Sequence, residues 1–201
     1  GQDLMDVHRV YAYLLESERL YSQAIQEYDT AITITPKLTF LYLRAGANYR
    51  QLAFVNPIKE QKRALYEKSL EYFEKAAKIN DQLKVKDPIP YLSISKTYSQ
   101  MGEFFAAGRN VQKALKFRPG DADIFGQLGI VYRGSRNYEG SIPVFECAIR
   151  GCTAAQSCEA RFGRACDPAF GEVGVDVQGV PLSQSSVVYY YAYGSFLAAL
   201  S

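Results

Sequence analysis

Small and apolar residues recur along the chain at intervals of three and four, and one such line is written four times. It reads AIQEYDTA from Ala24, SLEYFEKA from Ser69, AGRNVQKA from Ala107 and SIPVFECA from Ser141. In each, a small residue is followed four positions on by Tyr28, Phe73, Val111 or Phe145, and three further on by an alanine. These intervals place the residues on one face of a helix and do not fit the alternation of a strand. The starts lie 45, 38 and 34 residues apart, so the underlying period is 34, with 11 and 4 extra residues in the longer units.

A second signal precedes each line. Leu15, Tyr98 and Tyr132 lie nine residues ahead of Ala24, Ala107 and Ser141, and Tyr49 lies 20 ahead of Ser69. Three positions before these come Ala12, Gly46, Ser95 and Gly129, all small. Small residues so spaced let two helices approach closely while an aromatic fills the neighbouring groove. Turn signals such as Gln100-Met101-Gly102 and Gly134-Ser135-Arg136-Asn137 separate the halves, and Pro36 and Pro119 close two units. Each unit is therefore predicted to be a pair of antiparallel helices.

The extra residues predict the irregular features. Asn56-Pro57 reads as an N-cap with proline in the first helical position. From there a helix can run to about Asn80, so the 11-residue insertion predicts a lengthened second helix. Asp87-Pro88 repeats the start signal, and Pro143 is expected near the first turn of its helix.

A 34-residue helix–turn–helix unit with these small, aromatic and proline positions resembles the tetratricopeptide repeat (TPR). The resemblance implies an all-α fold, a right-handed α-solenoid, forming a single array over residues 1–201. Its repeats would be 5–36, 39–81, 88–119 and 122–153, with an irregular insertion at 154–185 and a partial fifth repeat at 186–201. In that last unit Gly194 and Leu197 stand where Gly129 and Tyr132 stand in the fourth. His8 replaces the family's usual tryptophan, and Asp81 and Thr153 replace the closing proline. The insertion is rich in glycine and proline and shows no helical periodicity. The alternation at 173–177 permits a short strand, but glycine disfavours strands and a long loop is the expected outcome.

Composition narrows the function. Apolar residues make up 48 % of the chain, enough for a core, and the net charge is +2 with no basic run. Nothing resembles the footprint of a nucleic-acid binder, and no apolar stretch is long enough for membrane insertion. Gly1 fits the scar of a cleaved tag, which leaves room for a native leader. His8 is the one histidine and there is no tryptophan. His8 with Asp6, or a cysteine with Glu159, are the conceivable catalytic pairs. No Cys–His arrangement is available and His8 occupies a packing position, so no enzyme and no cofactor is expected.

All four cysteines, Cys147, Cys152, Cys158 and Cys166, fall in one 20-residue window. Their gaps do not match paired zinc ligands. Disulfides would restrain a segment with little core, and oxidised cysteines would imply an exported, extracytoplasmic protein. Of the three pairings, Cys147–Cys152 with Cys158–Cys166 is the least expected. On a continuing helix, residues five apart are separated by about 7.5 Å of rise and face different sides.

The resemblance implies a protein-interaction module or scaffold, with the first helix of each pair lining a concave wall. One stripe of those helices carries Glu16, Tyr13 and Arg9; then Arg50, Ala47 and Leu43; then Ser99, Lys96 and Leu92; then Arg133, Ile130 and Gly126; then Tyr191 and Ser195. Arg44, Gln51 and Gln127 flank it. Cations outnumber the one acid, so the expected ligand is an extended, somewhat acidic peptide. The carboxylate clamp of chaperone-binding members is not expected, since Tyr13 and Ala47 hold its lysine and asparagine places. Two alternatives are a self-associating element joined through its open C-terminal repeat, and the non-catalytic part of a larger, even enzymatic, protein.

Overall fold

The computed structural model describes residues 1–201 and forms two compact units, Gly1–Met101 and Gly102–Ser201. The boundary falls inside the third predicted repeat. The first unit contains α1 (Gln2–Ser17), α2 (Tyr21–Ile34), α3 (Thr39–Val55), α4 (Lys59–Gln82) and α5 (Ile89–Met101). Each helix packs on the next, and α3 also touches α5. Met5, Ala12, Leu15, Ala24, Tyr28 and Ala31 share one core with Leu41 and Ala45, and Leu70, Phe73 and Ile94 form a second.

The repeated spacing has a steric purpose. A Cβ at Gly46 would come within 2.7 Å of the Phe73 ring. The Ser69 hydroxyl donates to the Gly46 carbonyl at 2.8 Å. The small residue of α3 thus seats the aromatic of α4, and the small residue of α4 lies against the same turn of α3. Such close approach needs residues with almost no side chain at the crossing. Arg19 closes α1 in the left-handed region at φ 60°, and the next N–H, of Leu20, returns to the Leu15 carbonyl at 2.9 Å. This 6→1 bond satisfies a carbonyl at the helix end and reverses the chain.

α4 has 24 residues against 14 in α2, as the insertion predicts. It begins two residues later than the Asn56-Pro57 signal implies. Asn56 instead accepts from the Ile58 N–H at 2.8 Å, and Ile58 is the N-cap. Asp87 likewise accepts from the Ile89 N–H at 2.9 Å, just ahead of α5.

The second unit contains α6 (Phe104–Phe117), α7 (Ala122–Gly134), α8 (Tyr138–Arg150), α9 (Ala154–Phe162) and α10 (Val187–Leu200). α6 packs on α7, α7 on α8, and α8 on α9, while α10 lies against α7 and α8. Asp121 caps α7 by accepting from the N–H groups of Asp123 and Ile124. The steric device of the first unit returns, since a Cβ at Gly129 would meet the Phe145 ring at 2.6 Å. Ala107 and Ala114 of α6 are fully buried. Pro143 is the sixth residue of α8, in its second turn and not its first, so the Glu139 carbonyl has no N–H four residues on to accept from.

The insertion departs from expectation in two ways. Residues 154–162 form α9, a helix the apolar periodicity does not reveal. A capping box starts it: Thr153 accepts from the Gln156 N–H, and the Gln156 side chain accepts from the Thr153 N–H. The remainder is loop with one turn of 3-10 helix at Pro168–Phe170. The alternation at 173–177 yields only an isolated antiparallel bridge between Cys152 and Val177.

The cysteines pair as Cys147–Cys152 and Cys158–Cys166, with Cα separations of 4.9 and 5.2 Å. This is the pairing that sequence reasoning ranks last. A helix continuing through Cys152 would hold the two cysteines apart, but α8 stops at Arg150. Gly151 then takes φ 79° and folds the chain back, so no helical rise accumulates. Gly163 ends α9 at φ 69° and returns Cys166 to Cys158 in the same way.

Candidate peptide-binding surface

In the first unit the predicted stripe lies on α1, α3 and α5. Glu16 of α1 forms an ion pair with Arg44 of α3. The same carboxylate accepts from the Tyr28 hydroxyl at 2.9 Å and the Asn48 amide at 3.2 Å. The one acid of the stripe is thereby neutralised by the flanking Arg44. Burial lowers the Arg44 pKa.

Arg50 is also engaged. It donates to the Ser93 carbonyl of α5 at 3.2 Å and lies over the Phe73 ring at 5.5 Å. Burial, reinforced by Arg44, pushes its pKa down to about 10, so it is still a cation at neutral pH. Arg9 pairs with Asp6 one helical turn back, a half-buried surface pair of small energetic weight. Tyr13 is 58 % exposed, and Gln51 and Lys96 are exposed.

In the second unit Arg133 of α7 sits over the Phe196 ring of α10 at 5.7 Å. Tyr191 is 69 % exposed. Gln127 is only 4 % exposed and so lies behind the surface. Tyr189 fills the space beside Gly126, where a Cβ would come within 2.4 Å of the ring. Gly194 has no atom within 4 Å of its Cβ position.

The conceivable catalytic pairs are not assembled. His8 is half-buried, not a core residue, and its Nδ1 lies 2.5 Å from Glu27 and not beside Asp6. Every cysteine is in a disulfide. No group of three or more His, Cys, Asp or Glu is placed to hold a metal ion. No helix is long and apolar enough to cross a membrane.

Sequence periodicity predicts a stripe but says nothing of the partners of its members. The Glu16–Arg44 and Arg50–Ser93 contacts join residues far apart in the chain, and no local signal marks them. The capping-box pattern Thr153-x-x-Gln156 and the N-cap Asp121 are missed features that the sequence does display.

No family model matches the chain, and no curated protein matches its sequence. Among solved structures it is similar to TTC0263, a thermophilic TPR protein of Thermus thermophilus. The TM-score is 0.65 at 16 % identity, covering 94 % of this chain and 80 % of that one. It is also similar to MamA, with a TM-score of 0.56 at 15 % identity, covering 94 % and 83 %. At such identities the likeness is one of fold, and it agrees with the 34-residue period and the seated aromatics: this chain has the fold of the tetratricopeptide-repeat proteins.

Proposed function

We propose that this chain is a non-catalytic interaction module that holds an extended, acidic peptide segment against the first-helix faces of its repeats. The observation that carries the reading is the exposure of Tyr13, one helical turn from Arg9 on α1, and of Tyr191 on α10. A tyrosine supplies flat contact area at low entropic cost, and an arginine supplies paired donors for carboxylates. In the first unit Arg9, Tyr13, Gln51 and Lys96 would touch the ligand. Arg44 and Arg50, held by Glu16 and Ser93, would contribute field and shape. The second unit offers such a segment its own contacts through Arg133 and Tyr191, with Gln127 behind them.

The test is fluorescence anisotropy with a labelled peptide in which Asp and Glu alternate with Leu. Arg9→Glu with Arg133→Glu should weaken binding at least about tenfold while leaving the helical circular-dichroism signal intact. Raising the salt should weaken the original complex in the same direction. Equal binding by the double variant would remove the acidic-peptide reading.

A second reading, self-association, is favoured by one observation. α10 exposes Val187, Tyr191, Leu197 and Leu200, and its Gly194 faces open space. A mass that stays monomeric across a wide concentration range in light scattering would dismiss it. The two cysteine pairs at bonding distance favour an oxidising, extracytoplasmic compartment.

A further inference from the structure

The insertion and the C-terminal half of α6 enclose a cleft of about 530 Å³, within the roughly 300–1,000 Å³ of small-ligand sites. Arg161 of α9 lines it and is only 5 % exposed. Its Nε and Nη2 both donate to Gln112 Oε1 at 3.3 Å, a neutral acceptor at the long end of the range. Nη1 donates no bond to Gln112. The Arg161 carbonyl is held by the Tyr132 hydroxyl at 2.9 Å, which fixes the last turn of α9.

No acid forms an ion pair with this guanidinium. Glu172, whose field reaches it, is clasped by Arg164 through bonds of 2.7 and 3.0 Å and accepts from the Asp167 N–H at 2.9 Å. Burying a cation without its own counter-ion is costly, and the cost is relieved when an anion arrives. Lys116 lines the same cleft from the last turn of α6 and adds a second positive charge. The remaining wall is apolar and aromatic. Phe162 lies under the Arg161 guanidinium at 4.6 Å, and Phe170 is 71 % exposed.

We propose that this cleft binds a carboxylate carried on an apolar group, as in a peptide that ends in leucine or phenylalanine. The guanidinium edge offers parallel N–H donors suited to a planar carboxylate, and the two phenylalanines accept the apolar group. A dianionic phosphate is disfavoured because the Glu172 carboxylate shares the wall. None of the residues proposed for the acidic-peptide surface lines this cleft, so either reading can fail while the other stands.

Isothermal titration calorimetry on the full chain tests it with acetyl-Gly-Ser-Gly-Leu-Phe, the same peptide with an amidated end, and N-acetylphenylalanine. The free acid should bind at least about tenfold more tightly than the amide. Gln112→Glu gives Arg161 an internal carboxylate, so it should preserve or raise the melting temperature and weaken binding by about tenfold or more. Phe170→Ala, at an exposed position, should weaken binding severalfold with no change in melting temperature. Tighter binding of the pentapeptide than of N-acetylphenylalanine identifies a chain terminus as the ligand, and equal binding identifies a free acid. Equal affinity for acid and amide, unchanged binding by Gln112→Glu, or no binding of any probe would overturn the proposal.

Discussion

The Glu16 carboxylate of α1 pairs with Arg44 of α3, and the same group accepts from Tyr28 of α2 and Asn48 of α3. One acid therefore ties three helices together at the edge of the core. Glu16→Ala would take the partner from the Tyr28 hydroxyl and the Arg44 guanidinium and leave the Asn48 amide only its bond to the Arg44 carbonyl. The expected loss is about 2–3 kcal/mol of unfolding free energy, measured by urea titration. Glu16→Gln keeps the side-chain shape and an acceptor oxygen and should lose less. Equal stability of all three proteins would show that the contact carries no weight.

The seated aromatics predict an inverted glycine effect. In an ordinary helix Gly→Ala stabilises by about 1 kcal/mol. At Gly46 and Gly129 the added methyl would press on Phe73 and Phe145, at 2.7 and 2.6 Å. Both substitutions should therefore lower the melting temperature. Gly194→Ala meets nothing within 4 Å and should raise it slightly. Thermal unfolding of the three variants followed by circular dichroism reads the sign directly.

The disulfides close short loops, with separations of 5 and 8 residues. Each is expected to contribute about 2 kcal/mol through the unfolded chain. Non-reducing peptide mapping should recover Cys147 joined to Cys152 and Cys158 joined to Cys166. Reduction should then speed proteolysis between residues 163 and 176. Crossed pairings in the map would contradict the path of the insertion.

Alkali should destabilise the protein in a defined window. Burial pushes the Tyr28 and Tyr189 hydroxyls up to about 12, from about 10 in an unfolded chain. A raised pKa means that the stabilisation is complete below pH 10 and is lost as pH rises through 12. Burial raises Tyr72 too, and its hydroxyl donates to Asp29 at 2.5 Å. Urea midpoints should be flat from pH 8 to about 10 and then fall. A fall complete below pH 10 would show that these phenols are not buried.

The helical hairpins were legible in the chain because their signal is local. Residues three and four apart lie on one helix face, so the line around Ala24, Ser69, Ala107 and Ser141 determines which face is buried. The period of 34 and the extra residues ahead of Ser69 determine the lengthened α4. The cysteine pairing was not legible, because it depends on where α8 stops. Gly151 folds Cys152 back onto Cys147 within one residue, and no periodicity announces that turn.

The candidate surface divides in the same way. Its stripe follows from spacing along single helices, and Tyr13 and Tyr191 are exposed there. Which cations remain available to a ligand was decided only by tertiary structure. Arg44 reaches Glu16, and Arg50 reaches the Ser93 carbonyl, across helices whose separation in sequence says nothing of their distance in space. Long side chains extend well beyond their own helix, so their partners are set by the packing of neighbouring helices and not by the local pattern that formed each one.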